Sequence, residues 1–303
     1  MFDIATVGHF SIDFIVLPGE TKPKRRLGGP PAYTSLSAKM LGAAVSVVSK
    51  VGWDFPKRYL EWLRRQGIDL LGLKVDHRFQ STSFQIKYYL SGERDMVLRS
   101  RGPPIYLEDL QSVEAKALHI SPIANEVSID SVRKIGGRDS LISLDPQGLL
   151  RRFDSCGRVT LHKLDDLSFL SSVGILKASE NELKILLGVE DALKALRKAR
   201  DLGVKIAIAT IGGRGAFISL NDKIFSIPAA KPRRIVDPTG AGDVFIGAFL
   251  AEYLRGEDAL WCACVGSSTA SFVIEEVGPK GFKGMREVHR RAAQIYGEVV
   301  KVE

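Results

Sequence analysis

Cysteine is scarce in this chain. Cys156, Cys262 and Cys264 are all that its 303 residues contain. Three thiols at these spacings make neither a disulfide framework nor a metal-binding set. A reducing cytoplasm is therefore the expected location. Long hydrophobic runs are absent too, so no membrane partner is expected. The N-terminus, Met1-Phe2-Asp3-Ile4-Ala5-Thr6-Val7, lacks a basic stretch ahead of its apolar residues. It reads as a first strand and not as a signal peptide. The common mechanistic signatures are also missing. There is no Walker-type phosphate loop, no His-Glu-x-x-His zinc pair and no dinucleotide glycine fingerprint after the first strand. No repeat, low-complexity tract or Ser/Gly linker interrupts the chain.

What remains is an ordinary globular composition, 45% hydrophobic and 26% charged. The net charge of +8 raises the question of nucleic acid. The basic residues are scattered, however, as in Lys22 to Arg26, Arg64-Arg65, Arg151-Arg152 and Lys231 to Arg234. No stretch interleaves them with aromatics as a binding module would. An anionic nucleotide substrate and a solvated surface account for the charge, and no nucleic-acid partner is expected. Steeply salt-dependent binding to DNA or RNA would argue otherwise.

Apolar runs and helical periodicities alternate along most of the chain. Strands are expected at Phe2 to Val7, Ile12 to Leu17, Ala44 to Ser49, Ala117 to Ile120, Leu141 to Leu144, Gly174 to Leu176 and Lys205 to Thr210. Helices are expected at Ala32 to Leu41, Pro56 to Gln66, Val127 to Ile135, Lys163 to Leu170, Glu180 to Leu187 and Asp191 to Asp201. Three more follow at Val244 to Leu254, Ala259 to Ile274 and Arg286 to Val299. This succession implies a mostly parallel sheet with crossover helices. Two stretches break the pattern. Ser83 to Leu90 and Asp95 to Arg99 flank a turn at Ser91 to Arg94 and read as a half-exposed hairpin. Asn221-Asp222 marks a second hairpin, between Ala216 to Leu220 and Lys223 to Ile227.

The densest signal is Asp237-Pro238-Thr239-Gly240-Ala241-Gly242-Asp243, which runs straight into an apolar helix. Small residues let a ligand approach the backbone. The first amides of a helix have no internal acceptor and favour an anion. A carboxylate fixed beside an anion cradle is what phosphoryl transfer to a hydroxyl requires. The plainer reading is a helix whose Asp243 only stabilises its first turn.

This stretch resembles the C-terminal signature of the ribokinase-like (PfkB) family of carbohydrate kinases. Other elements resemble family motifs in the same order. They are Gly8 with Asp13, Gly28-Gly29 followed by a helix ending at Leu41-Gly42, Val51 to Asp54, and Thr210-Ile211-Gly212-Gly213-Arg214-Gly215. The resemblance implies a three-layer α/β/α domain over residues 1–10, 28–77 and 102–303. A small β-sheet lid would come from residues 11–27 and 78–101. It implies ATP and Mg2+ as donor and cofactor, and a small polyol or sugar as acceptor. It also implies a possible homodimer through the lid, which the aromatics Phe84, Tyr88 and Tyr89 could support.

Residue roles follow from the same resemblance. Asp243 would accept the proton of the attacking hydroxyl. Its place at a helix start favours its anion and implies a low proton affinity. The Gly240, Ala241 and Gly242 amides would hold developing negative charge. Asp13 would bind acceptor hydroxyls, and Gly28 and Gly29 would let the acceptor lie against backbone. Thr210, Gly212, Gly215 and Thr239 would line the donor site. Glu182 would serve magnesium, although Ser179 and Glu182 also fit a capping box. Departures from the family pattern bear on the acceptor. Tyr33 stands where asparagine is common, and Asp145-Pro146-Gln147 replaces Asp-Pro-Asn. Together with Met96 to Arg99 and Leu176 to Ser179, these resemble the inositol kinases of the superfamily. A cyclitol such as myo-inositol ranks first, with Gln147 and Asp13 as partners and Arg151 on the transferring phosphate. A sugar or nucleoside ranks second, and a non-catalytic sugar or nucleotide sensor is the alternative from another class.

Overall fold

The computed structural model describes residues 1–89, 93–137 and 139–303. The expected turn at Ser91 to Arg94 therefore falls partly outside the described residues.

The chain begins with β1 (Phe2–Val7), β2 (Ser11–Val16), β3 (Lys24–Gly28) and α1 (Pro30–Met40). It continues through β4 (Val45–Gly52), α2 (Lys57–Arg65), β5 (Leu73–Asp76), β6 (Ser83–Tyr88) and β7 (Arg94–Ser100). The middle holds α3 (Leu107–Gln111), β8 (Ala115–Ile120), α4 (Ile129–Ile135), β9 (Leu141–Leu144), α5 (Gln147–Leu150), β10 (Arg151–Phe153) and β11 (Val159–Leu161). Then come β12 (Ile175–Ser179), α6 (Glu180–Leu187), α7 (Ala192–Asp201), β13 (Ile206–Thr210), β14 (Ala216–Leu220) and β15 (Lys223–Ile227). The C-terminal part is α8 (Ala241–Tyr253), α9 (Ala259–Val273), α10 (Met285–Tyr296) and β16 (Val300–Lys301).

Among the described residues, the large sheet has the order β16-β15-β14-β13-β12-β9-β8-β1-β4-β5. From β5 to β13 every neighbouring pair is parallel. Such strands are covered on both faces and read as near-continuous apolar runs, which is why they were legible. One face packs Ile4, Val45 and Val47 under α1, α8 and α9. The other packs Ala5, Val7 and Leu118 under Val132, Leu186 and Leu196. The result is the three-layer ribokinase-like α/β fold that the sequence implies.

A separate four-stranded sheet has the order β3-β2-β6-β7. β2 pairs with β6 in parallel and with β3 antiparallel, so the sheet joins residues 11–28 to the hairpin expected after Ser83. β3 arises from the basic stretch that carried no strand signal. The helix expected at Lys163 to Leu170 is not formed; a short 3-10 turn occupies Ser168–Ser172 instead. Asp166 accepts the Ser168 amide at 2.8 Å and starts that turn late. A lone side-chain cap cannot extend so short a nucleus into a helix.

Strand order decides where ligands bind. The chain lays β4 and β5 on one side of β1 and then returns to build β8 and β9 on the other. Crevices at such reversals, outside the carboxyl ends of parallel strands, are the ligand sites of open α/β sheets. Here Asp145 follows β9, Lys177 and Ser179 end β12, and Thr210 ends β13.

Candidate active site

One cavity of about 390 Å³ opens at this edge between the two sheets. The turn before α8 forms its floor. Gly240 is left-handed, with φ 77°, and a Cβ there would lie 2.5 Å from the Tyr33 ring. Only glycine accommodates both demands. Asp237, itself buried, fixes the turn from below. Its carboxylate accepts the Thr239 amide and the Gly278 amide, each at 3.0 Å. The helix then starts at Ala241. The Ala241 amide reaches the Pro238 carbonyl at 3.3 Å. Among the described residues, the Gly242 and Asp243 amides have no carbonyl partner and remain available to an anion. Of the three expected cradle amides, those of Gly240 and Gly242 have no carbonyl partner among the described residues, and that of Ala241 has one.

The helix is held against α1 by small residues. Thr34 donates through Oγ1 to the Asp243 carbonyl at 3.1 Å, and Ser37 donates to the Val244 carbonyl at 2.7 Å. Gly247 packs on the Thr34 carbonyl, where a Cβ would come within 2.4 Å. These contacts fix the orientation of Asp243.

Asp243 is half-buried, with part of its surface open to the cavity. Desolvation pushes its carboxyl up to about 7; Lys177 opposes this and Asp145 reinforces it. This corrects the expectation of a low proton affinity. A helix N-terminus stabilises an anion by a modest amount, whereas removal from water can raise a carboxyl by several units. The shift suits a general base working near neutral pH.

The residues expected to bind the acceptor lie toward the small sheet. Asp13 is buried, and its Oδ1 has no partner among the described residues. Burial raises it to about 6. An unpaired buried carboxylate oxygen is costly and marks a site awaiting a donor. Gly28 stands behind Asp13 and does not form the cavity wall; a Cβ there would overlap the carboxylate at 1.8 Å. Gly29 does line the cavity, as does Tyr33, whose hydroxyl is also unpartnered. Gln147 and Arg151 reach the cavity as expected. They are bonded to each other, however, with Arg151 Nη2 donating to Gln147 Oε1 at 2.7 Å. An apolar wall of Phe84, Ile86, Met96 and Ile123 faces this polar group.

The residues expected to line the donor site lie toward β12 and β13. Thr210, Gly212 and Thr239 line it. Gly215 does not, because it packs against the Ile227 carbonyl in the hairpin. Glu182 lines the cavity and also completes the capping box: its Oε2 accepts the Ser179 amide at 3.0 Å and the Ser179 hydroxyl at 2.6 Å. Among the described residues no cluster of three or more potential ligands would cage a metal. A single half-buried carboxylate at the wall fits magnesium, which keeps waters and phosphate oxygens as its other ligands.

Two cations were missed by sequence reasoning. Arg94 on β7 reaches the cavity mouth, and Lys177 on β12 lies at its back. Lys177 is only 4% exposed. The signal for it was a lysine inside an otherwise apolar strand. His9 and His119 are buried away from the cavity wall. His9 bonds Thr82 and the Pro103 carbonyl, and His119 contacts Ser143. Phe84 and Tyr88 face inward and are buried, so of the three aromatics only Tyr89 could serve a lid-to-lid contact.

The model of the pfkB family of carbohydrate kinases matches residues 1–282. The chain belongs to this family. It is 31% identical over 293 residues to a cytidine kinase of Thermococcus kodakarensis, covering 92% of this chain and 98% of that protein. It is 26% identical over 307 residues to the inositol 3-kinase of Arabidopsis thaliana, covering 96% and 81%. In structure it resembles the Burkholderia thailandensis nucleoside kinase in complex with inosine, with a TM-score of 0.81 at 19% identity and coverage of 97% and 99%. The chain is thus a phosphotransferase acting on a hydroxyl group. Among the described residues no helix is long and apolar enough to cross a membrane.

Proposed function

We propose that this chain transfers the γ-phosphoryl group of ATP, with Mg2+, to a hydroxyl of a nucleoside held by its sugar. Asp243 is the base, and the first amides of α8 receive the phosphoryl group. Mg2+ beside Glu182 supplies charge neutralisation for the donor phosphates when bound. Asp13 accepts two neighbouring sugar hydroxyls, which a carboxylate does well.

The observation that carries the nucleoside reading is the amphipathic acceptor half. One oxygen of the Asp13 carboxylate, unpartnered among the described residues, shares the cavity with an apolar cluster of Phe84, Ile86, Met96 and Ile123. A small polyol has little use for such a cluster, whereas a base stacks or packs on it. The likeness to a cytidine kinase supports the same choice.

A cyclitol is the second reading, favoured by the likeness to an inositol kinase. Gln147 was its expected amide partner. Its Oε1 is engaged by Arg151 and its Nε2 lies 3.3 Å from Ser121 Oγ, which leaves it less to offer. The four-stranded sheet acts as the lid over the acceptor, and the reaction takes place in the cytoplasm.

A coupled assay with ATP and a panel of cytidine, inosine, ribose, fructose 6-phosphate and myo-inositol tests the reading. Turnover with a nucleoside at least tenfold above the rest is expected. A clear preference for myo-inositol would favour the second reading.

A further inference from the structure

Behind Asp243 a continuous polar chain joins the two halves of the cavity. Lys177 Nζ donates to Asp145 Oδ2 at 2.7 Å. The Gln147 backbone N–H donates to Asp145 Oδ1 at 3.2 Å, and the Gln147 side-chain Oε1 accepts from Arg151 Nη2 at 2.7 Å. Lys177 and Asp145 are almost fully buried, at 4% and 1% exposure. Such a pair is weak as a stabilising device, because desolvation offsets most of its attraction. Its place in the molecule indicates another use. A Cβ at Gly242 would lie 2.5 Å from Lys177 Nζ, so the ammonium group rests directly against the anion cradle. It lines the same cavity as Asp243.

We propose that Lys177 is a further catalytic residue, whose ammonium group holds the non-bridging oxygens of the transferring phosphoryl group, and that Asp145 positions it. In the transfer, the acceptor oxygen forms its bond to phosphorus as the bond from phosphorus to the bridging oxygen of the nucleoside diphosphate breaks. The acceptor proton passes to Asp243. Lys177 keeps its own protons and donates hydrogen bonds only. An ammonium group already desolvated and oriented needs no reorganisation when charge develops, which is where such groups act most strongly. Asp145 holds Lys177 through one oxygen and the backbone N–H of Gln147 through the other. The donor-side cation and the acceptor-side Gln147–Arg151 pair therefore share one anchor.

This inference rests on the reading of the α8 cradle as the phosphoryl site. The test is calorimetric titration with AMP-PNP and with ADP, each with Mg2+, on the wild type, K177M and K177M/D145N. The double variant replaces the buried pair by neutral groups of similar size and keeps the fold where K177M alone would leave Asp145 uncompensated. Lys177 on the transferring group requires that the double variant lose at least tenfold in affinity for AMP-PNP while ADP affinity changes less than threefold. Equal affinity changes for the two nucleotides, or none, would overturn the proposal. Turnover with cytidine or myo-inositol, whichever is phosphorylated, should fall about 10²–10³-fold in the same variant, the usual loss for one such donor. Recovery of wild-type turnover on adding D145N to K177M would show that Lys177 only neutralises Asp145, and would also overturn it. D243N separates the two readings. If D243N retains turnover, the assignment of the base fails whatever Lys177 does. If D243N is inactive while K177M/D145N turns over normally, only the role of Lys177 fails.

Discussion

The hydroxyl of Tyr88 lies 2.7 Å from the hydroxyl of Thr239. Tyr88 belongs to β6 of the small sheet, and Thr239 belongs to the turn that carries Asp243. This is a direct bond between the small sheet and the turn that opens α8, and both partners are buried. Tyr88→Phe removes it with little change in packing. The acceptor KM should rise about three- to tenfold, in keeping with roughly 1 kcal/mol for one such bond. Thermal stability should change by little. Steady-state kinetics in both substrates checks this, and an unchanged acceptor KM would detach the small sheet from acceptor binding.

Gly240→Ala should be far more damaging than its size suggests. The new methyl group would meet the Tyr33 ring at 2.5 Å in a backbone region that L residues rarely adopt. Strain of about 1–3 kcal/mol is expected, together with displacement of the cradle. Unfolding and turnover should both suffer, the second by at least about 10² given how steeply rate follows geometry. Wild-type values in both would show that the turn is not held as described.

Much of this was legible in the sequence, and the failures are specific. The parallel strands were readable because they are buried on both faces and hence apolar throughout. The α8 turn was readable because its glycines stand beside two aspartates and a proline. β3 was not, because its Lys24-Arg25-Arg26 run lies toward solvent on an edge strand and carries no apolar alternation. Lys177 was not, because only the fold brings Asp145, just past the neighbouring strand, to its side. The proton affinity of Asp243 was misjudged for the same reason. The helix start is local and visible, whereas the desolvation that overrides it comes from residues far along the chain.

That desolvation makes a prediction about pH. Asp243 and Asp13 are both raised above the ordinary value of 3.8, to about 7 and about 6. As kcat/KM is followed upward in pH, it should rise through this window as both carboxylates ionise and level off above it. Stability should move the other way. The folded chain holds these two protons more tightly than the unfolded chain. The stabilisation is full below about pH 4, declines between about 4 and 7, and is lost above about 7. Asp243→Asn should therefore be the more stable protein at pH 8, by a margin that shrinks toward pH 5. Thermal unfolding at the two pH values measures it, and an equal margin at both would contradict the assigned shift.

Glu182→Gln separates the two roles of that residue. A glutamine at this position still closes the capping box on Ser179, so stability should hold within about 1 kcal/mol. The loss of charge at the cavity wall should raise the Mg2+ concentration needed for half-maximal turnover, by about tenfold or more on the scale of roughly 1.4 kcal/mol per decade. An unchanged Mg2+ requirement would leave Glu182 as a cap alone.

The central claim is that Asp243 takes the proton of the attacking hydroxyl. The most direct measurement is turnover of Asp243→Asn beside its affinity for AMP-PNP with Mg2+. The account predicts a fall in kcat of about 10²–10⁴-fold, the usual loss for a general base, with nucleotide affinity largely kept. Near-normal turnover in this variant would contradict it.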